Sequence, residues 1–257
     1  MDNMPLMTDF DTDGVLETSF TIRLHGNKKL GDKLDVTLCI LKLIFGLPTD
    51  VQQACHMVCA FTRSDLAEFG RRLGFKYLID AAKKYKHHPG VCKPACLAIQ
   101  YWWVREPPML RGLHGVVELA LRAAEHFSWA YRTYDNTSQD IRDELACTAQ
   151  AALLLLGVAT TFNTTNKEKC VAKGGVRTLF DVFATFANCK PAFLVPVCLV
   201  LNGIVKGHLD EDTCNAFGPV VAKLVSKCEK VSKSNKAQNI LCLQLTKLGG
   251  LMKQPQR

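Results

Sequence analysis

The sequence lacks most of the features that mark catalysis, secretion or membrane insertion. It has no glycine-rich phosphate loop, no HExxH zinc motif and no GxSxG nucleophile turn. Its densest apolar stretch, residues 151–158, is far shorter than the about 18 residues of a membrane span. No basic segment followed by an apolar one opens the chain, so no secretory signal is predicted. These absences favour a non-enzymatic protein without a cofactor, in the cytoplasm or alternatively the nucleus.

Cysteine is abundant, with 12 residues in 257, but the sequence contains no CxxC pair. The one cluster with the density of a metal site is His87-His88 followed by Cys92 and Cys96. Repeat position offers another explanation, because Cys96 recurs at equivalent places as Cys55, Cys198 and Cys242, and Cys170 recurs as Cys214. Free cysteine is commonly a small buried residue, and cytosolic thiols stay reduced. We therefore predict core cysteines and no bound metal.

A pattern of three helical segments organises residues 166–207. A short segment, 166–173, with Asn166 as its possible N-cap, ends at Gly174-Gly175, where glycine allows a sharp corner. An amphipathic segment, 176–186, follows, and an apolar segment, 192–206, closes the unit. Similar units lie at 64–105, 107–161 and 209–252, with predicted corners at Gly74, Gly115 and Gly218. Their period is near 42 residues.

This unit resembles an armadillo repeat, and the period fits the roughly 40–47 residues of such units. The resemblance implies an all-α fold: a right-handed superhelical solenoid of about four full three-helix repeats plus a partial N-terminal repeat. The repeat domain is predicted over residues 31–252. In the partial repeat, a helix over 32–46 carries the apolar stripe Leu34, Leu38, Leu41 and Phe45, and a second helix covers 50–61. In unit 209–252, Gly218 separates a first helix, 210–217, from a second, 219–231.

The resemblance also implies a function. In armadillo proteins the third helices line a concave groove that binds an extended peptide, whose backbone is held by a recurring asparagine. Asn202 falls close to that position, Gln100 keeps an amide there and Thr246 a hydroxyl. The resemblance thus predicts a scaffold or adaptor that binds a partner protein through groove residues, namely Arg63, Gln100, Trp103, Asn202, Lys206 and Thr246.

An insertion at 128–137 separates the predicted helix 116–127 from the next helix, which Ser138 can cap. It carries three aromatic residues, Trp129, Tyr131 and Tyr134. Either they fold back over adjacent helices, or they form an exposed contact site, since tryptophan, tyrosine and arginine dominate interface hot spots.

Charge is distributed unevenly along the chain. Residues 1–20 carry −5 and the remaining 237 carry +13, which together give the net +8. We predict a mobile acidic arm over residues 1–30, which either covers basic surface of its own body or is read as a tail by another protein. Residues 253–257 should fray. The basic body favours an extended or helical partner segment of acidic character; the alternative is a basic solenoid that binds nucleic acid.

Overall fold

A computed structural model describes residues 36–105, 113–134, 137–161, 163–187, 191–205, 208–209, 211–230 and 236–253. The side chains of 191–193, 196, 227–230 and 236–240 are not part of that description. All regular structure in these ranges is helical. The predicted acidic arm, Lys206 and residues 254–257 lie outside the described residues. Residues from Val36 onward form one unit by their internal contacts.

The first five helices cover the N-terminal half of this unit: α1 Val36–Phe45, α2 Pro48–Ala60, α3 Arg63–Arg71, α4 Gly74–Lys84 and α5 Pro89–Arg105. The described part of the chain continues with seven more: α6 Val116–Thr133, α7 Gln139–Thr161, α8 Thr164–Ala172, α9 Gly175–Phe186, α10 Pro191–Ile204, α11 Glu211–Lys230 and α12 Lys236–Met252.

These helices contact one another in two series that follow the chain. The long third helices of the predicted units pack in the order α2, α5, α7, α10 and α12. The second helices pack in the order α1, α4, α6, α9 and α11. Each helix thus contacts its counterpart in the neighbouring unit, which is how units that cannot bury their apolar faces alone become stable. The prediction of an all-α fold is confirmed.

The corners before the second helices adopt the left-handed backbone conformation. Leu73, Gly115 and Gly174 have φ of 59°, 85° and 72° and directly precede α4, α6 and α9. Gly115 is a predicted corner and Gly174 belongs to the predicted Gly174-Gly175 corner, whereas the corner predicted at Gly74 lies one residue earlier. Gly74 and Gly175 instead begin their helices, where an added Cβ would collide with the Phe69 ring and the Cys170 sulfur, respectively.

Side-chain hydrogen bonds identify the residues that cap α3 and α8. The side chain of Thr62 caps α3 and accepts from the Asp65 N–H at 3.3 Å. Asn163 caps α8 by accepting from the Asn166 N–H at 3.0 Å. The prediction that Asn166 is the N-cap is therefore wrong. Asn166 is buried inside α8, and its Nδ2 donates to the Ala159 carbonyl at 3.0 Å.

Two helices are longer than predicted. α6 continues to Thr133, through most of the predicted insertion, because Ala130 is buried and the Tyr131 ring packs on Phe186 at 5.0 Å. The predicted break at Gly218 is also wrong, since α11 runs through Gly218 and Pro219 without a corner. Contacts of α11 with both α9 and α12 stabilise it along its length, which offsets the hydrogen bond that proline removes.

The predicted stripe on α1 is wrong. Leu38, Leu41 and Phe45 are 46%, 47% and 77% exposed, while α1 packs through Val36, Cys39, Ile40 and Leu43. Leu34 lies outside the described residues. Both sets have helical spacing, so periodicity alone does not distinguish the face that meets α2 and α4 from the face that does not.

Burial of the recurrent cysteines is confirmed for Cys55, Cys96 and Cys198, which have no exposed surface. Cys242 is only half-buried, so its predicted full burial is wrong. It lies on α12, the last helix of the described chain, where no following helix covers its far side. The other recurrent pair divides in the same way, with Cys170 buried and Cys214 half-buried on α11.

α7 is the central helix of the third-helix series and contacts α5, α6, α8 and α10. Among the described helices it alone is long and apolar enough to cross a membrane by length and composition, and 72% of its most apolar window is buried within the protein. Packing on four neighbours accounts for its apolar composition without a membrane.

Candidate interaction cleft

A cleft of about 340 Å³ lies between the second helices α6 and α9. Ridges of two neighbouring helices leave a groove between them, and here the groove is floored by half-buried and buried residues and rimmed by long polar ones. Its lining comprises Arg122, Glu125, His126, Ser128, Trp129 and Arg132 from α6 and Thr178, Asp181 and Val182 from α9. We call it the α6–α9 cleft.

Trp129 is the largest side chain at this cleft, and it is 49% exposed. Its ring lies 6.3 Å from His126 on one side and 6.4 Å from Tyr134 on the other, by centroid distance. Tyr134 is itself 50% exposed. Because Ser128 satisfies its hydroxyl by donating to the Ala124 carbonyl at 2.6 Å, the polar residue does not interrupt the helix that carries Trp129.

The three aromatic residues of the predicted insertion therefore differ in their exposure to solvent. Trp129 and Tyr134 are exposed, as the contact-site interpretation requires. Tyr131 is half-buried and folds back, as the other interpretation requires, with Phe186 against its ring and the Arg142 guanidinium 4.6 Å from its centroid. Their helical setting fixes this division, because side chains two residues apart point to different faces.

One carboxylate organises the charges at the N-terminal end of α6. Glu118 accepts from the Lys83 ammonium at 3.4 Å and pairs with Arg122 at 3.2 Å. Lys83 foremost, then Lys173 and Arg122, lower the pKa of Glu118. Cations from α4, α6 and the corner before α9 thus converge on a single acidic group, which leaves the surface beside the cleft cationic.

A pair of histidines joins the turn after α4 to the cleft. The His87 Nδ1 lies 3.1 Å from the His126 Nε2 and 3.3 Å from the His126 Nδ1, and the two rings meet edge to face at 4.3 Å. Burial, followed by the nearby His87 and Lys86, lowers the pKa of His126, because desolvation and positive neighbours both oppose a charged imidazole. These effects favour the neutral form of His126.

The sequence-predicted groove residues are dispersed. Gln100 and Trp103 lie on α5 and are each only 5% exposed. Asn202 is 7% exposed, and its Nδ2 donates to the Gln244 carbonyl at 3.0 Å and to the Gln244 Oε1 at 2.9 Å. The amide at the asparagine position thus bonds the next helix of its own chain.

The remaining groove residues differ in setting. Arg63 is exposed at the first turn of α3 and is not on a third helix. Thr246 is exposed on α12, where its hydroxyl donates to the Cys242 carbonyl at 2.9 Å. The Gln100 Oε1 and Asn202 Oδ1 atoms are buried without a hydrogen-bond partner. An inaccessible acceptor cannot receive a ligand donor unless the side chain first moves.

The residues with the density of a metal site do not converge. His87 and His88 are exposed in the turn after α4, whereas Cys92 and Cys96 are buried within α5. Burial raises the pKa of Cys92 to about 12, and the pKa of Cys96 is raised further, so both are protonated thiols. Within the described ranges, no three histidine, cysteine or acidic side chains lie close enough to share a metal ion.

Sequence reasoning missed the His87–His126 pair and the arginines of the cleft. One signal was available: the two histidines are 39 residues apart, near the 42-residue period, which places them on adjacent units. No family model, curated protein or solved structure matches the chain.

Proposed function

We propose that the protein is a non-enzymatic protein–protein interaction scaffold of armadillo-like repeats, and that it holds a segment of a partner protein in the α6–α9 cleft. Support for the repeat architecture comes from the two series of helix contacts and from the three left-handed corners before second helices. A scaffold of this kind needs a rigid frame and an accessible contact surface, and it needs no catalytic group.

The observation that carries the proposal is the exposed Trp129 at the edge of a cleft between two packed helices. Tryptophan, tyrosine and arginine are the residues that most often dominate binding energy, and Trp129 has Tyr134, Arg122 and Arg132 nearby. Because Trp129 projects from a helix, little conformational entropy is lost when a partner covers it. The cleft volume is at the lower end of the range for ligand pockets and fits one or two partner side chains.

Burial favours this cleft over the predicted third-helix groove as the primary contact. Gln100, Trp103 and Asn202 are nearly inaccessible, and Asn202 bonds α12. The nucleic-acid alternative has weaker support, because the basic residues are spread over all units and form no arginine-rich stripe.

The test compares intact protein with Trp129→Ala and Leu243→Ala in affinity capture with quantitative mass spectrometry. Leu243 is the matched control because it is a large apolar side chain, 67% exposed, on α12. A partner should be lost by Trp129→Ala and retained by Leu243→Ala. With that partner purified, Trp129→Ala should weaken binding by about 2 kcal/mol or more, as expected for a hot-spot residue.

Circular dichroism should show equal helix content for all three proteins, because both substituted side chains are exposed. If a correctly folded Trp129→Ala variant captures the same proteins with the same affinity, the cleft is not the contact surface.

A further inference from the structure

We propose that the His87–His126 pair and Lys86 receive a carboxylate of the partner while an apolar partner residue lies on Trp129, so that the recognised segment is acidic and apolar. This inference rests on the proposed function and names the chemistry of the partner at the same cleft. The His87–His126 pair is then part of the binding surface, in addition to joining the turn after α4 to α6.

The geometry places the two halves of such a segment side by side. His126 lines the cleft and touches both neighbours, with His87 at 4.3 Å and Trp129 at 6.3 Å between ring centroids. Adjacent residues of an extended partner are about 3.5 Å apart along the chain. When one partner residue lies on Trp129, a second residue one or two positions away in the partner chain can therefore reach the His87–His126 pair.

The hydrogen bonding of the pair leaves room for an acceptor. When both imidazoles are neutral, one ring nitrogen donates to a nitrogen of the other ring, and the two remaining nitrogens carry one N–H and one lone pair. Adding one proton converts that lone pair to a second N–H and gives the pair a positive charge. A carboxylate, which accepts only, matches the protonated pair and mismatches the lone pair of the neutral one.

The charges that face His126 favour an anion. From the turn after α4, the His87 ring contacts it and the charge of Lys86 acts on it, and both oppose its protonation. On α6 itself, Arg122 lies one turn before His126 and pairs with Glu118. The carboxylates that share the cleft are Glu125 on α6 and Asp181 on α9, and neither is among the groups that act on the His126 ring.

Proton linkage follows from these contacts. In the free protein the pKa of His126 is lowered, by burial first and then by His87 and Lys86. A partner carboxylate beside the ring would oppose those effects and raise that pKa, so the complex binds more protons than the free protein. Affinity should therefore increase as the pH falls from 8 toward 5.8. The partner carboxylate remains ionised over this range.

The test uses two synthetic peptides as probes, Ac-Ser-Gly-Glu-Phe-Glu-Gly-Ser-NH2 and the same peptide with Gln in place of Glu. Binding to the full chain is measured by calorimetry at pH 8 and pH 5.8, in buffers of different ionisation enthalpy. The Glu peptide should bind severalfold more tightly at pH 5.8, with proton uptake, because a pKa rise of about one unit gives its full tenfold change only below both pKa values. The Gln peptide should bind with little pH dependence.

The His126→Gln variant should bind the Glu peptide without the severalfold change in affinity between the two pH values. His114→Gln is the matched control, because His114 is exposed in the turn before α6 and is outside the pair. It should keep the full pH dependence. Histidine ring NMR of the intact protein should show the His126 titration moving to higher pH when the Glu peptide is added.

Three results would overturn the inference: equal pH dependence for the two peptides, an unchanged pH dependence in His126→Gln, or no binding of the Glu peptide at either pH. The scaffold function is tested separately by partner capture with Trp129→Ala. Loss of the partner in that variant without any pH dependence would remove only the acidic–apolar assignment, whereas unchanged capture would remove the cleft itself.

Discussion

Cysteine at the recurrent position of the third helices shows how one residue type takes different environments. Cys96 on α5 has no exposed surface, and Cys242 at the matching position of α12 is half-buried. Burial raises the pKa values of the core thiols, to about 12 for Cys39 and Cys59, because a thiolate would lose its hydration. These residues therefore act as small apolar side chains and not as nucleophiles.

Replacing Cys96 and Cys242 in turn with lysine should show whether burial, and not the shared repeat position, determines the loss of stability. Cys96→Lys should lower the free energy of unfolding by at least about 3 kcal/mol, since it buries an unpaired charge. Cys242→Lys should cost less than about 1.5 kcal/mol, because a half-buried lysine can extend its ammonium to solvent. Urea denaturation followed by circular dichroism measures both. Equal losses would contradict the burial difference between α5 and α12.

Asn202 is the residue whose predicted role changes most. Its amide joins α10 to α12 through Gln244, so Asn202→Ala should lower the free energy of unfolding by about 1–2 kcal/mol, the usual cost of removing a partly buried hydrogen bond. Thr246→Ala is the control, since its exposed hydroxyl bonds only the preceding turn of its own helix. It should change stability by less than about 0.5 kcal/mol. Chemical denaturation that ranks Thr246→Ala as the costlier change would exclude the interhelical role of Asn202.

At the scale of elements, α6 and the corners decide where the candidate site lies. α6 continues past residue 127, so Trp129 belongs to a helix and not to a loop. The sequence contained the signal for this, since Phe127, Ala130 and Tyr131 continue the apolar period of the helix. The 60-residue separation of Gly115 and Gly175 exceeds the 42-residue period because α6 and α7 are long helices of 18 and 23 residues, and not because a loop is inserted.

The left-handed corners give a prediction about glycine. Gly174 has φ of 72° and would bring an added Cβ no closer than 4 Å to any atom, so Gly174→Ala should destabilise through backbone conformation alone, by about 1–2 kcal/mol. Gly203 within α10 is equally uncrowded but helical, and Gly203→Ala should be neutral or stabilise by up to about 1 kcal/mol. Thermal and urea unfolding of the two variants should therefore shift in different directions. A shared direction would contradict the corner geometry.

At the scale of the whole molecule, stability depends on the close stacking of third helices. α7 and α10 approach at Gly157, where an added Cβ would lie 3.0 Å from the Val200 Cγ2 atom. Gly157→Val should force the two helices apart and cost about 1–3 kcal/mol, as overpacking usually does. Gly250→Val on α12, where no atom lies within 4 Å, is the control and should cost less than about 1 kcal/mol. Equal denaturation midpoints for the two variants would show that α7 and α10 are not tightly packed.

The sequence by itself determined the helical class, the near-42-residue recurrence and most helix positions, because these depend on apolar periodicity, glycine and proline within short windows. It also singled out Trp129, Tyr131 and Tyr134 as contact candidates, but it did not decide which of them are exposed. Tertiary structure decided which of two apolar faces α1 buries, that Asn202 bonds the next helix, and that His87 meets His126. Such outcomes depend on residues about 40 positions away in the chain. A local sequence pattern carries no information about which helix packs against a segment or which face that helix covers.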